Sequence, residues 1–259
     1  MLDRITPIVL TLNEAANIGA ALERLRWAPE VVVVDSFSTD ETLAIVARYP
    51  NARAVQRKFD TLAKQWSYGL EETGIRSEWV MRLDADFRVS EALVAEMAAL
   101  DPPDDVAAYS TDFRYCIHGR RLRGSLYPRS IRLLRRVRAR FYQDGHTEEV
   151  AVEGRVLPLA GHIEHDDRKP LERFFMSQVR YMRDEEIKLA AAKLASLDLP
   201  DRLRRLRYLG PFLVLPYCLF AKGLILDGRA GFYYSLQRTI AEMMLSLYLI
   251  DRDLREPER

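Results

Sequence analysis

Cysteine is nearly absent from this chain: Cys116 and Cys218 are the two in 259 residues, and they stand far apart. That excludes a disulfide framework and any clustered thiolate metal or redox motif, and it suits a reducing cytoplasm. Net charge is lacking too, because 39 Lys and Arg nearly cancel 38 Asp and Glu, so bulk electrostatics argues against a dedicated nucleic-acid binder. Nothing at the N-terminus reads as a signal peptide, since "ITPIVLTL" is short and runs straight into Asn13 and Glu14. Between Phe113 and Gln143 acidic residues are missing altogether, against ten arginines, which predicts a positive field toward phosphates on one side of the protein. Stacking aromatics are sparse in that stretch, Tyr115 and Tyr127 being the candidates before Phe141, so RNA binding is set aside.

What is present is enough apolar residue, 48%, to bury a sizeable core in one large domain or in a domain with an appendage. The pattern alternates. "ITPIVLTL", "EVVVVDS", the weaker "ARAVQRKF" and "EWVMRLDAD" read as buried strands. Between them "NEAANIGAALERLRW", opened by Asn13 as a cap, "STDETLAIVARYP" and "LAKQWSYGLEETG" read as helices, the last ended by Gly74. Continuous apolar strands separated by helices predict a parallel sheet covered on both faces, with ligands beyond the carboxyl ends of the strands.

That rule gathers Asn13 and Glu14 after strand one, Asp35 and Ser36 after strand two, and Asp84 with Asp86 after strand four, on one rim. Two carboxylates one residue apart at a strand end can offer hard oxygen ligands to a divalent cation that also binds diphosphate. Magnesium or manganese fits such a set, whereas zinc would call for a nearby Cys or His cluster. Each acid also has a plainer reading. A lone DxD is frequent by chance, and Asp35 suits a helix cap in a strand-to-helix turn.

The blocks "IVLTLNEAANIGAALERL", "EVVVVDSFSTDETLAIV", "WVMRLDADFRVSEALVAEM" and "YPRSIRLLRR" resemble, in order and spacing, those of family 2 glycosyltransferases. With "VEGRV" and "DGRAGFYYSL", the chain is most similar to the bacterial lipopolysaccharide-core β-glucosyltransferase group over about residues 5–245. The resemblance implies an α/β GT-A (Rossmann-like) fold with a mostly parallel sheet over residues 1–168 and a helical C-terminal extension over 169–259. It implies an inverting, metal-dependent enzyme moving a sugar, glucose first, from a UDP-sugar to a lipid-linked saccharide. Polyprenyl phosphate or another surface glycan is the alternative acceptor. A nucleotidyltransferase is the weaker alternative, because "TLNEAANIG" is not the Gly- and Arg-rich loop expected of one.

By position, the resemblance puts Thr11, Asn13 and Glu14 in the first nucleotide loop and Asp35 on the acid that hydrogen-bonds uracil. Ser36, Gln65, Arg82, Ala85 and Arg132 are carried over as further donor-contacting positions. Asp84 and Asp86 match the metal-binding DxD for Mg2+ or Mn2+, and His165 rather than His162 is expected as a late metal ligand, structural hydrogen bonding being the plainer role for at least one of the two histidines. Trp66 and Ser67 depart from the family's Lys and Asn. For the general base the ranking is Glu148, then Asp144, then Glu149, with Thr147 on the family's histidine position and His146 displaced by one. The plain reading is that all three acids are solvated on an acceptor loop. Arg132 and Arg135 are read as a strand with one arginine turned toward the diphosphate, or as a solvated face.

Past residue 170 an amphipathic helix leads into "DRLRRLRYLGPFLVLPYCLFAKGLIL", a basic cluster joined to an apolar run broken by Pro211, Pro216 and Gly223. That combination predicts peripheral attachment to an anionic membrane, on the cytoplasmic face of the plasma membrane, with dimer packing and a true span as alternatives.

Overall fold

The computed structural model describes residues 1–144 and 147–255 and divides into two compact units. The first comprises residues 1–119, 127–143 and 148–169; the second comprises 120–126, 144–147 and 170–259.

The strands, in chain order, are β1 (Ile5–Thr11), β2 (Val31–Asp35), β3 (Ala52–Gln56), β4 (Trp79–Asp84), β5 (Phe87–Val89), β6 (Val106–Ile117), β7 (Arg120–Arg121), β8 (Ser130–Arg135), β9 (Ala139–Asp144), β10 (Thr147–Val152) and β11 (Arg155–His165). The main sheet of the first unit runs β3-β2-β1-β4-β8-β6-β11-β5, and β9 pairs with β10 in a separate ribbon. β1, β2, β3 and β4 are mutually parallel, whereas β8 runs antiparallel to both β4 and β6. β1 and β2 are buried at every position, so their residues are apolar on both faces instead of alternating.

Four helices belong to this unit: α1 (Ile18–Glu23), α2 (Thr42–Val46), α3 (Leu62–Glu71) and α4 (Glu91–Ala99). α1 starts later than the sequence suggests. Asn17, not Asn13, is its cap residue, and Asn13 takes a left-handed φ of 56° in the turn before it. Asn13 there accepts a bond from Thr39 N at 2.8 Å, so it ties two loops together. α3 and α4 follow the expected rule, their Thr61 and Ser90 side chains accepting from Lys64 N and Leu93 N.

The second unit holds α5 (Leu171–Ala191), α6 (Leu199–Arg204), α7 (Leu209–Pro216) and α8 (Gly228–Arg255). Met182, Leu189, Leu197, Ala241, Leu245 and Leu249 form its core. Between α7 and α8 lie a π-helical turn, Tyr217–Ala221, and a 3-10 turn, Leu224–Asp227.

Candidate active site

β4 brings Arg82 and Asp84 to the rim, and the tight step into β5 adds Asp86. β1 pairs with β4 so that Leu10 lies opposite Asp84, and with β2 so that Thr11 lies opposite Asp35, which aligns the loops after β1, β2 and β4.

Around Asp84 charge is crowded. Burial pushes its carboxyl up, Arg132 opposes that, and Asp86 and Glu148 add to it, leaving a value of about 6. Asp86 goes the other way: burial would raise it, but His165 outweighs burial and holds it below the usual carboxylate range. The His165 Nε2 to Asp86 Oδ2 distance is 3.1 Å. His165 Nδ1 is buried without a hydrogen-bond partner, and its ring is enclosed by Tyr115, Tyr127 and Phe87 at 4.5, 4.9 and 5.1 Å.

Among the described residues, no group of three or more His, Cys, Asp or Glu is arranged to hold a metal ion. The donor types nevertheless fit one. Two carboxylates and an imidazole suit Mg2+ or Mn2+, and a cation there would relieve the repulsion that lifts Asp84.

Arg82 reaches Glu148 Oε1 at 2.9 Å, with both side chains nearly buried. Its guanidinium lies 5.4 Å from the Trp66 ring and 5.3 Å from that of Phe141, while Nε and Nη1 have no hydrogen-bond partner. Arg82 is therefore placed to hold Glu148. The other two candidate bases differ. Asp144 belongs to the second unit, where Lys188 Nζ donates to it at 2.8 Å, and Glu149 is exposed. Gly145 and His146 lie outside the described residues.

Arg132 and Arg135 meet different partners along β8. Arg132 is buried, stacked 4.9 Å from both Phe87 and Phe113, and electrostatically coupled to Asp84. Arg135 is structural: it pairs with Glu78, donates to Val106 O at 2.8 Å and lies over Trp79. Neither forms a solvated face. In the wider arginine run, Arg129 pairs with Asp112 and Arg123 with Asp227, while Arg138 donates to Asp104 O at 2.6 Å and keeps its charge.

Asp35 is fully buried and its four acceptor sites are filled: Thr11 Oγ1 at 2.9 Å and Ser38 Oγ on one oxygen, Ser38 N at 2.9 Å and Gln56 Nε2 at 3.1 Å on the other. Burial would raise its pKa, but these hydrogen bonds outweigh it and hold the carboxyl below the usual value. Asp35 thus anchors the turn, in line with its plainer reading; a uracil N–H would have to displace one of these donors. Gln65 is likewise engaged, donating to Ser36 Oγ at 3.0 Å and accepting from Arg57 at 2.6 Å. Ala85 is buried in the core.

Two site features escaped the sequence reading. The first is a cluster joining residues about 150 apart: Lys169 Nζ meets Glu14 Oε1 at 2.6 Å, and Asn17 Nδ2 donates to Glu14 at 2.9 Å and to Asp167 at 3.0 Å. Burial, then Asp86, raise Glu14 to about 7, against the opposing pull of Lys169. Burial alone would lower Lys169, but Glu14, Asp86 and Asp167 together hold it above the ordinary lysine value. Three acids thus gather around one lysine. The second is Phe37, half exposed, with a left-handed φ of 63° directly after Asp35 and Ser36. A bulky residue in that conformation is strained, and its only sequence signal was an aromatic where a turn favours glycine.

Residues 6–153 match glycosyl transferase family 2, more than half of the chain, and the chain belongs to that family. Among curated proteins it is similar to the lipopolysaccharide core biosynthesis glycosyltransferase LpsC of Rhizobium meliloti (strain 1021), 31% identical over 146 residues, 53% of each chain. An uncharacterized glycosyltransferase of Rickettsia bellii (strain RML369-C) is 36% identical over 95 residues, 36% of this chain and 31% of that one. These matches span about half or less of the relatives' own lengths. Among solved structures, S. aureus TarS in complex with UDP aligns over 98% of this chain and 92% of that one, at 15% identity and a TM-score of 0.47. Glucosyl-3-phosphoglycerate synthase from Mycobacterium tuberculosis, with Mn2+, UDP-glucose and phosphoglyceric acid, aligns over 43% of each at 20% identity and a TM-score of 0.36.

Proposed function

We propose that this chain transfers a hexose, glucose first, with inversion from a UDP-sugar to a hydroxyl of a lipid-linked saccharide such as the lipopolysaccharide core. Family membership and the likeness to LpsC support the reading. The observation that carries it is the meeting of Asp84, Asp86, His165, Arg132 and the Arg82–Glu148 pair at the rim of one sheet.

In this reading Asp84, Asp86 and His165 would hold Mg2+ or Mn2+, which would supply neutralising charge for the departing diphosphate. Arg132 and Lys169 add fixed positive charge beside the same acids. Glu148, oriented through Oε1 by Arg82, takes the proton of the acceptor hydroxyl as its oxygen attacks the anomeric carbon. The bond from that carbon to the diphosphate oxygen breaks, and its electron pair leaves with UDP. Asp35 shapes the nucleotide loop through Thr11 and Ser38, and Phe37 offers its exposed ring to the uracil.

A thermal-shift panel of nucleotide sugars, with and without Mn2+, tests the assignment. UDP-glucose with Mn2+ is expected to stabilise the protein most, a saturating ligand at 100 times its Kd adding about 2.7 kcal/mol. Equal shifts from every nucleotide, or none from any, would remove it.

A further inference from the structure

The helical unit contains a helix that breaks the ordinary rule for soluble proteins. α7, "LGPFLVLP", carries no polar side chain, and none of its residues is buried. A helix apolar on all sides belongs in a core or in lipid. Within it Phe212 is 77% exposed, and the exposure continues past it, Phe220 and Leu226 each being 68% exposed. From Tyr208 to Leu226 the sequence holds no acid, and Lys222 is its one cation.

The backbone of this segment is closed on itself where the helix ends. Lys222 N donates to Tyr217 O at 3.0 Å, Gly223 N to Phe220 O at 3.2 Å and Leu226 N to Gly223 O at 3.1 Å. Internal satisfaction of that kind is what hydrocarbon demands of a chain that enters it. Among the described residues no single helix is long and apolar enough to cross a membrane, but Leu209–Ala221 and Leu224–Arg255 pass by composition together, bent by 71°. The bend is braced within the unit. Arg123 N donates to Asp227 at 2.8 Å, Leu126 N donates to Tyr234 Oη at 2.8 Å, and a Cβ on Gly124 would stand 2.7 Å from Lys222 O.

The arginines ahead of the segment differ in what they meet: two pair with acids and two donate to backbone carbonyls. Arg202 donates to Leu197 O at 2.8 Å, Arg204 pairs with Glu242 and Asp201, Arg205 donates to Ala192 O at 2.9 Å, and Arg207 pairs with Asp253. Carbonyl acceptors leave the charge of Arg202 and Arg205 in place, so apolar exposure, and not the loss of charge, is what sets this face apart. A protein partner of ordinary chemistry would also want hydrogen-bonding groups spread through the contact, and here they are confined to Tyr208, Tyr217 and Lys222.

We infer that Leu209–Leu226 is a prebent wedge that enters one leaflet of a membrane, its occupant being the acyl chains and not the headgroup charge. Lys222, whose Nζ lies 5.6 Å from the Tyr217 ring, reaches back toward the interface. The inference does not depend on the reading of the active site.

Flotation of the full chain with vesicles tests it. The protein is expected to float with pure phosphatidylcholine as well as with phosphatidylcholine containing phosphatidylglycerol, and equally in low and high salt. The triple variant Phe212→Ser, Phe220→Ser, Leu226→Ser is expected to stay at the bottom with both, while keeping the wild-type melting temperature. Four results would overturn the inference. These are wild-type protein that does not float, flotation that needs phosphatidylglycerol and is lost in high salt, a triple variant that floats like wild type, and a non-floating wild-type dimer that the triple variant turns into a monomer. The last would assign the face to a second copy of the chain.

Discussion

The rim of the sheet and the α7 segment depart from the usual distribution of residues in opposite directions. At the rim, Arg82, Arg132 and His165 are buried with Asp84 and Asp86 among them, and part of their hydrogen-bonding capacity is unfilled. Along α7 the reverse holds, with Phe212, Leu213 and Leu209 facing solvent and no charged residue within the helix itself. A buried charge and an exposed apolar surface are each costly to a folded chain, so each is informative about what the chain is built to meet. On the two proposals made above, one region would be completed by ions and polar ligand atoms, the other by hydrocarbon.

The largest expected break in that comparison is at Asp84. Asp84→Asn removes a ligand and relieves the crowding with Asp86 and Glu148, so Mn2+-dependent UDP binding should fall about 100-fold or more while the ligand-free protein becomes more stable by about 1 kcal/mol. Calorimetric titration and urea unfolding of the same sample check both halves; unchanged Mn2+ dependence would remove the metal role. Next, Glu148→Gln should lower turnover roughly 100-fold with UDP affinity unaltered, whereas Asp144→Asn and Glu149→Gln stay near wild type. Steady-state release of UDP reads this, and loss in either neighbour alone would move the base there.

Asp35→Asn should cost about 2 kcal/mol at neutral pH by disturbing a saturated buried carboxylate. Because the folded carboxyl binds its proton less readily than the unfolded one, that contribution is present above about pH 4 and disappears as pH falls through the depressed folded value. Unfolding curves of wild type and variant should therefore converge on acidification; a constant gap would mean that the charge is not what matters. Phe37→Gly should weaken UDP binding about tenfold through lost stacking yet raise stability by about 1 kcal/mol through relief of the left-handed strain. At the other region, Phe212→Ser should change stability by no more than about 0.5 kcal/mol, since an exposed side chain loses no packing.

Much of this was legible in order of how local the signal is. β1, β2 and β4 declared themselves as uninterrupted apolar runs because both faces of the central sheet are covered, and Asp84 and Asp86 stood out because they end such a run. The start of α1 was misplaced because Asn13 and Asn17 are equally good cap residues, and the choice rests on Asn17 bonding Glu14 and Asp167. The Arg82–Glu148 and Lys169–Glu14 pairs join residues far apart in the chain, with nothing local to link them. The acid partners of Arg204 and Arg207 in the basic cluster were hidden for the same reason: Glu242 and Asp253 come some 40 residues later.

Two glycines let backbone meet backbone beside the turns that join α7 to α8. At Gly231 a Cβ would stand 1.9 Å from Leu224 O, and at Gly124 one would stand 2.7 Å from Lys222 O. Alanine at either position has to push a carbonyl aside, so the course of the chain from Lys222 to Asp227 depends on two missing methyl groups.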